Sequence, residues 1–133
     1  MEIVLDHLTK KFPGRGKNRQ EVIAVNDFTF TIPDGKLAAL LGPSGCGKST
    51  TLNMICGLLA PTSGEIFFGD NNVTALPPEE RGVGMVFQNY ALYPHMTVEQ
   101  NIRFPLENFR GKDRLSKEAM KERVLEAAKL VHI

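Results

Sequence analysis

The sequence is short of the features that would mark a secreted, membrane-spanning or nucleic-acid-binding protein. Only two of its 133 residues are cysteine. Cys46 and Cys56 match neither metal-ligand nor redox spacing, which excludes a disulfide scaffold and points to two reduced thiols of a cytosolic protein. No apolar run approaches the roughly 18 residues of a membrane-spanning helix. Met1-Glu2-Ile3 is not a basic region leading into an apolar stretch, so a secretory leader is not expected either. A formal net charge of +1 exerts no broad pull toward nucleic acid or acidic membranes. Basic residues do gather at Lys10, Lys11, Arg15, Lys17 and Arg19. A solvated hairpin loop is preferred there to a nucleic-acid patch. There is no internal repeat and no low-complexity tract. Hydrophobic content of 42% is ordinary for a globular chain of one-domain length.

What is present is Gly42-Pro43-Ser44-Gly45-Cys46-Gly47-Lys48-Ser49-Thr50, a full match to G-x-x-x-x-G-K-[ST]. Glycine lacks a Cβ, so such a loop curls until successive N–H groups face an anion. Lys48 adds a mobile positive charge for the β- and γ-phosphates. Ser49 opens the following helix, whose N-terminal dipole favours an anion and whose first hydroxyl suits Mg²⁺. An ordinary glycine-rich turn is the competing reading, and the context weighs against it. Lys36–Leu41 reads as a buried strand entering the loop, and Thr50–Leu59 as the helix leaving it.

The rest of the chain divides readily. Ile3–Leu8 reads as a strand; Val25, Phe28, Phe30 and Ile32, spaced mostly by two, suggest a half-buried one, turned by Pro33-Asp34-Gly35. After the loop, Leu52, Ile55, Cys56 and Leu59 fall on one helical face, with Gly57 a weak point and Pro61–Gly64 the stop. Glu65–Phe68 is a short strand closed by Gly69–Asn72, and Pro77–Arg81 a helical turn. Val83–Phe87 predicts a second buried strand ending at Gln88. Thr97–Gln100 is a capping box opening a helix that Pro105 curtails, and Asn108–Leu115 is looped. Ser116 caps a last helix with Met120, Val124, Ala127, Ala128 and Val131 on one face, a pattern still running at the final residue.

These residues together resemble the ATP-binding subunits of ABC transporters, specifically those of maltose-type sugar importers. The resemblance is carried by the loop Gly42–Thr50, by Gln88 in Met85-Val86-Phe87-Gln88-Asn89-Tyr90, and by Phe12 thirty residues ahead of Gly42. Ala91-Leu92-Tyr93-Pro94-His95-Met96-Thr97-Val98 is similar to the sugar-importer subgroup, with close variants in polyamine and glycerol-phosphate importers. The implied fold is α/β, a RecA-like P-loop NTPase parallel sheet with an N-terminal antiparallel β-layer. The implied division is 1–35 for that layer, 36–96 for part of the P-loop core and 97–133 for the start of a helical region.

The resemblance implies ATP and Mg²⁺ as cofactors. Phe12 corresponds to the aromatic that stacks on adenine, a strand-end core residue being the alternative. Gly42, Ser44, Gly45, Cys46, Gly47 and Lys48 face the phosphates, and Ser49 and Thr50 lie near Mg²⁺ and the α-phosphate. Gln88 reaches Mg²⁺ and the attacking water, unless it is only a solvated amide, so Lys48 and Gln88 are the implied catalytic pair. Gln88–His95 would receive transmembrane permease subunits, and a second ATPase subunit would complete a dimer. The implied location is cytoplasmic, peripheral on the inner face of the cell membrane, without nucleic acid.

The sequence contains no Leu-Ser-Gly-Gly-Gln signature, no acidic strand after the loop and no switch histidine. Ile3–Asp6 precedes the loop and is not that strand; His95 and His132 are not that histidine. The expectation is an N-terminal fragment that self-associates through exposed strand edges and does not turn over ATP alone. A P-loop kinase or GTPase is the alternative enzyme, against which neither Asn-Lys-x-Asp nor Asp-x-x-Gly appears. A non-catalytic binding fragment is the third reading.

Overall fold

The computed structural model describes residues 1–14, 20–109, 111 and 114–133. Arg15, Lys17 and Arg19 of the basic cluster, and Arg110, Lys112 and Asp113 of the 108–115 loop, lie outside the described residues. The chain divides into two units, Met1–Met85 and Val86–Ile133.

In the first unit, β1 (Ile3–Phe12), β2 (Val22–Ile32), β3 (Ser63–Phe68) and β4 (Asn71–Asn72) form an antiparallel sheet in the order β2-β1-β3-β4. The expected antiparallel layer is therefore present, and it also takes in β3 and β4. Strict alternation would put Leu5 and Leu8 on opposite faces, yet both are buried. A bulge resolves this. His7 takes φ 49 and the register of β1 shifts between Leu5 and Leu8, while Asp27 on β2 takes φ 47. Displaced N–H groups find side-chain acceptors, His7 donating to Thr29 Oγ1 and Asp27 to Thr9 Oγ1, each at 3.0 Å. On the other edge a Cβ at Gly64, φ 89, would lie 2.4 Å from the His7 carbonyl oxygen, so only glycine fits there.

The helix α1 (Lys48–Ile55) lays Thr51, Met54 and Ile55 on the sheet. Met54 and Ile55 join Leu5, Leu8, Val25, Ile66, Phe68 and Val73 in the core of this unit. The expected face was Leu52, Ile55, Cys56 and Leu59, but Leu52 is exposed and Leu59 is past the helix. Gly57 is the cause. At φ 80 it ends α1 rather than merely weakening it, with Gly57 N–H donating to Met54 O at 3.1 Å and Leu58 N–H to Asn53 O at 2.9 Å.

Lys36–Leu41 and Val83–Phe87 differ from expectation. Neither joins a ladder among the described residues, and Leu37, Leu41 and Val86 are 99%, 91% and 82% exposed. A parallel strand is held by neighbours hydrogen-bonded along its edges. No described segment pairs with either of these.

The second unit holds α2 (Val98–Glu107) and α3 (Lys117–Leu130). The expected capping box opens α2, with Gln100 N–H on Thr97 Oγ1 at 3.2 Å and Thr97 N–H on Gln100 Oε1 at 2.8 Å. Pro105 does not end this helix but sits inside its last turn, where its missing N–H costs one bond. Ser116 caps α3 through Ala119 N–H at 3.1 Å. Only Val124 of the expected stripe is buried, and Ala127 and Val131 are exposed. The helix also stops: His132 at φ 59 turns it, and Ile133 N–H closes on Ala128 O at 3.1 Å.

Candidate functional site

The glycine-rich loop runs into the first turn of α1. Gly45 and Gly47 have φ 81 and 93, values that L side chains rarely adopt. Space is as restrictive as torsion. A Cβ on Gly47 would lie 2.4 Å from the Ala24 carbonyl oxygen, and one on Gly42 would lie 2.6 Å from Cys46 Sγ. Gly47 at the N-cap offers no side chain to the helix, so the N–H groups of Lys48, Ser49 and Thr50 remain for an occupant of the loop. The first helix bond is that of Thr51 N–H to Gly47 O, at 2.9 Å.

Lys48 folds back over this loop. Its Nζ donates to the carbonyls of Gly42 at 2.8 Å and Pro43 at 2.7 Å, and lies 3.4 Å from Cys46 Sγ. The ammonium thus sits inside the curl of backbone, where an anion would exchange those carbonyl contacts for stronger charge-assisted ones. A hollow of about 240 Å³ beside it is lined by Ala24, Val25, Phe28, Leu41, Cys46 and Lys48 among others.

Phe12 is joined to this region through the sheet. It pairs with Val22, and Lys10, two residues back on the same strand, pairs with Val25 of the hollow. At about 3.3 Å per residue the Phe12 backbone lies roughly 7 Å along the strand from Lys10. One face of Phe12 carries the Lys10 ammonium, 5.3 Å from the ring centroid, itself held by the Ala60 carbonyl at 2.6 Å. Nothing in the spacing of the sequence announced this cover.

No group of three or more metal-ligating His, Cys, Asp or Glu side chains occurs among the described residues. Ser49 stands in the first turn of α1. Gln88 belongs to the second unit.

Around Gln88 the second unit presents aromatic surface. Tyr90 and Ala91 both have left-handed φ, 58 and 49. Tyr90 and Leu92 are mostly exposed, and a groove of about 460 Å³ runs along Tyr90–Tyr93, Phe104 and Pro105. Tyr93 packs on Phe104 with centroids 4.9 Å apart, and His95 meets the edge of Tyr93 at 6.1 Å. Asn101 holds this loop. Its Oδ1 accepts from Tyr93 N–H at 2.9 Å, while Nδ2 donates to Tyr93 O and Met96 O, each at 3.2 Å, and to Thr97 O at 3.0 Å. Asn101 carried no signal beyond following a capping box.

Comparison with known proteins identifies the family. The ABC transporter family matches residues 25–133. The xylose/arabinose import ATP-binding protein XacJ of Haloferax volcanii is 46% identical over 132 residues, 99% of this chain and 32% of XacJ. The sn-glycerol-3-phosphate import ATP-binding protein UgpC of Jannaschia sp. (strain CCS1) is also 46% identical over 132 residues, 99% of this chain and 35% of UgpC. The chain thus spans about a third of the length of these relatives. The dimeric ATP-binding cassette MJ0796, in a post-hydrolysis state with ADP and Pi, matches 98% of this chain and 57% of its own, at 32% identity and a TM-score of 0.82. A glycine-rich loop closed by its own lysine, an antiparallel layer behind it and a family match over most of the sequence lead to one conclusion: the chain belongs to the ABC transporter family.

Proposed function

We propose that this chain is the nucleotide-binding part of the ATPase subunit of an ABC importer for sugars, the N-terminal part of that subunit's ATPase domain. The observation that carries the reading is Lys48 Nζ, at the start of α1, held by the carbonyls of Gly42 and Pro43 within the glycine-rich loop. In this reading Gly42, Ser44, Gly45, Cys46, Gly47, Lys48 and Thr50 bind the phosphates of ATP. Ser49 and Gln88 hold Mg²⁺, and Phe12 stacks on the adenine. Bound Mg²⁺ would offset charge as it builds on the transferring phosphate. Lys48 would neutralise phosphate oxygens, and Gln88 would orient the water.

Gln88–His95, with its exposed tyrosine and leucine, is the proposed seat of the transmembrane permease, and a second ATPase subunit would pair with this one. No helix among the described residues is long and apolar enough to cross a membrane. Assembly on the inner face of the cell membrane through such a partner accords with that. The names of the relatives support a sugar as solute, although the glycerol-phosphate importer is equally similar; the specificity of such transporters is expected in other subunits.

The test is equilibrium binding of ATP with Mg²⁺ to this chain. Lys48→Ala should remove most of the affinity. Phe12→Ala should weaken ATP several-fold while leaving inorganic triphosphate unchanged, as a stacking contact contributes about 0.5–1.5 kcal/mol. Equal affinity of the unmodified chain for ATP, GTP and triphosphate would overturn the adenine assignment, and no effect of Lys48→Ala would overturn the site.

A further inference from the structure

The ring of Phe12 is held from one side by a charge that is itself held. Lys10, two residues earlier on β1, places its ammonium 5.3 Å from the ring centroid, where the negative face of an aromatic ring attracts a cation. The same Nζ donates to the Ala60 carbonyl at 2.6 Å. Two anchors of different kinds, a ring face and a carbonyl, thus fix one flexible side chain.

Ala60 lies outside the sheet, but its segment is tied to the same strand. Thr62 N–H donates to Thr9 O at 2.8 Å, and Lys11 N–H donates to Thr62 Oγ1 at 2.9 Å. In the other direction the segment comes from the end of α1, whose last two residues give their carbonyls, Met54 O and Ile55 O, to Arg81 Nη1 at 2.7 and 3.0 Å. Ala60 therefore stands between two fixed points, and the ammonium it holds has a fixed place over the ring. Phe12 is half-buried rather than buried, so ring surface is left for a ligand. A side chain that becomes ordered only when a ligand arrives counts against binding, and one already ordered does not.

We propose that Lys10 is a positioning residue for the nucleotide base: its ammonium covers one face of Phe12 and holds the ring in place, so that a purine stacks on the opposite face. The proposal rests on the adenine role assigned to Phe12 above. Lys10 acts through the ring and not on the phosphates, so a ligand without a base is indifferent to it.

The experiment compares the affinities of ATP·Mg²⁺ and inorganic triphosphate for this chain, for Lys10→Met, Lys10→Arg and Phe12→Ala, and for the double variant of Lys10→Met with Phe12→Ala. Lys10→Met should weaken ATP about two- to tenfold, the ordering cost of one side chain, with triphosphate unchanged. Lys10→Arg, which keeps a cation able to lie on the ring and donate to a carbonyl, should bind ATP nearly as the unmodified chain does. The double variant should bind ATP no more weakly than Phe12→Ala. Triphosphate binding reports that the loop is folded in each variant, and Lys10→Gln replaces Lys10→Met should the latter not fold. Undiminished ATP affinity in Lys10→Met, an equal loss for triphosphate, a Lys10→Arg variant as weak as Lys10→Met, or losses that multiply in the double variant would each overturn the proposal. If Phe12→Ala lowers the preference for ATP over triphosphate and Lys10→Met does not, the Lys10 role alone is removed. A preference untouched by Phe12→Ala removes the adenine reading and this proposal with it.

Discussion

The two units of the chain are held by different means. In Met1–Met85, Leu5, Leu8, Met54 and Ile66 are at most 1% exposed, whereas among the described residues of Val86–Ile133 only Val124 is a buried hydrophobic. The first unit is ordered by apolar burial, each such side chain contributing about 1.5–3 kcal/mol. The second leans on local hydrogen bonds: the Thr97–Gln100 box, the Ser116 cap and the Asn101 amide. Hydrogen bonds of this kind contribute about 1 kcal/mol each. The glycine-rich loop stands on the strongly packed unit, and the exposed groove of Tyr90–Tyr93 on the weakly packed one. That division suits the proposed roles, a nucleotide site that would hold charge in fixed geometry and a surface that would meet a partner.

The sharpest way to break the contrast is Met54→Ala. It empties a fully buried site between α1 and the sheet and should cost about 2–5 kcal/mol, read as a lower denaturant midpoint for the first unit, with amide exchange in α2 and α3 little changed. Next is Asn101→Ala. Tyr93 N–H loses its acceptor and three carbonyls lose a donor, so a local loss of about 1–3 kcal/mol is expected. Faster exchange at the Tyr93 amide, with ATP binding intact, would report it; unchanged exchange would show that aromatic packing on Phe104 suffices. Thr97→Ala should cost about 1 kcal/mol through its cap, visible as fraying of α2 alone.

The smallest expected effect lies on the exposed rim of the sheet. His7 Nδ1 lies 2.6 Å from Asp27 Oδ1, and this hydrogen bond, then the charges of Asp27 and Asp6, raise the histidine above its usual 6.5. A pKa raised by folding stabilises fully below the unfolded value and ceases to do so as pH rises through the folded one. Thermal stability should therefore decline slightly as pH climbs past 6.5, and His7→Gln should abolish that slope without affecting the Met54 core. An unchanged slope would assign the pH dependence elsewhere.

Features legible in the sequence were those whose partners lie close along the chain. The loop Gly42–Thr50, the capping box and the Ser116 cap depend on residues within a few positions, so spacing alone identified them. The face of α1 was legible in part: Ile55 is buried and Leu59 packs on the core beyond the Gly57 stop, but Met54 rather than Leu52 is the buried contact. The stripe on α3 was over-read for a related reason. Periodicity states which residues could be buried together, and Ala127 and Val131 had no described surface to bury against.

By itself the sequence determined the glycine-rich loop and the helix start that carries Lys48, since these depend on nine consecutive residues. Only the tertiary structure decided that Arg81 closes the far end of α1, that Lys10 covers Phe12, and that Leu37 and Leu41 face outward. Burial and long-range hydrogen bonds exist only once particular segments meet, and a strand becomes part of a sheet only when another backbone lies alongside to receive its N–H and carbonyl groups.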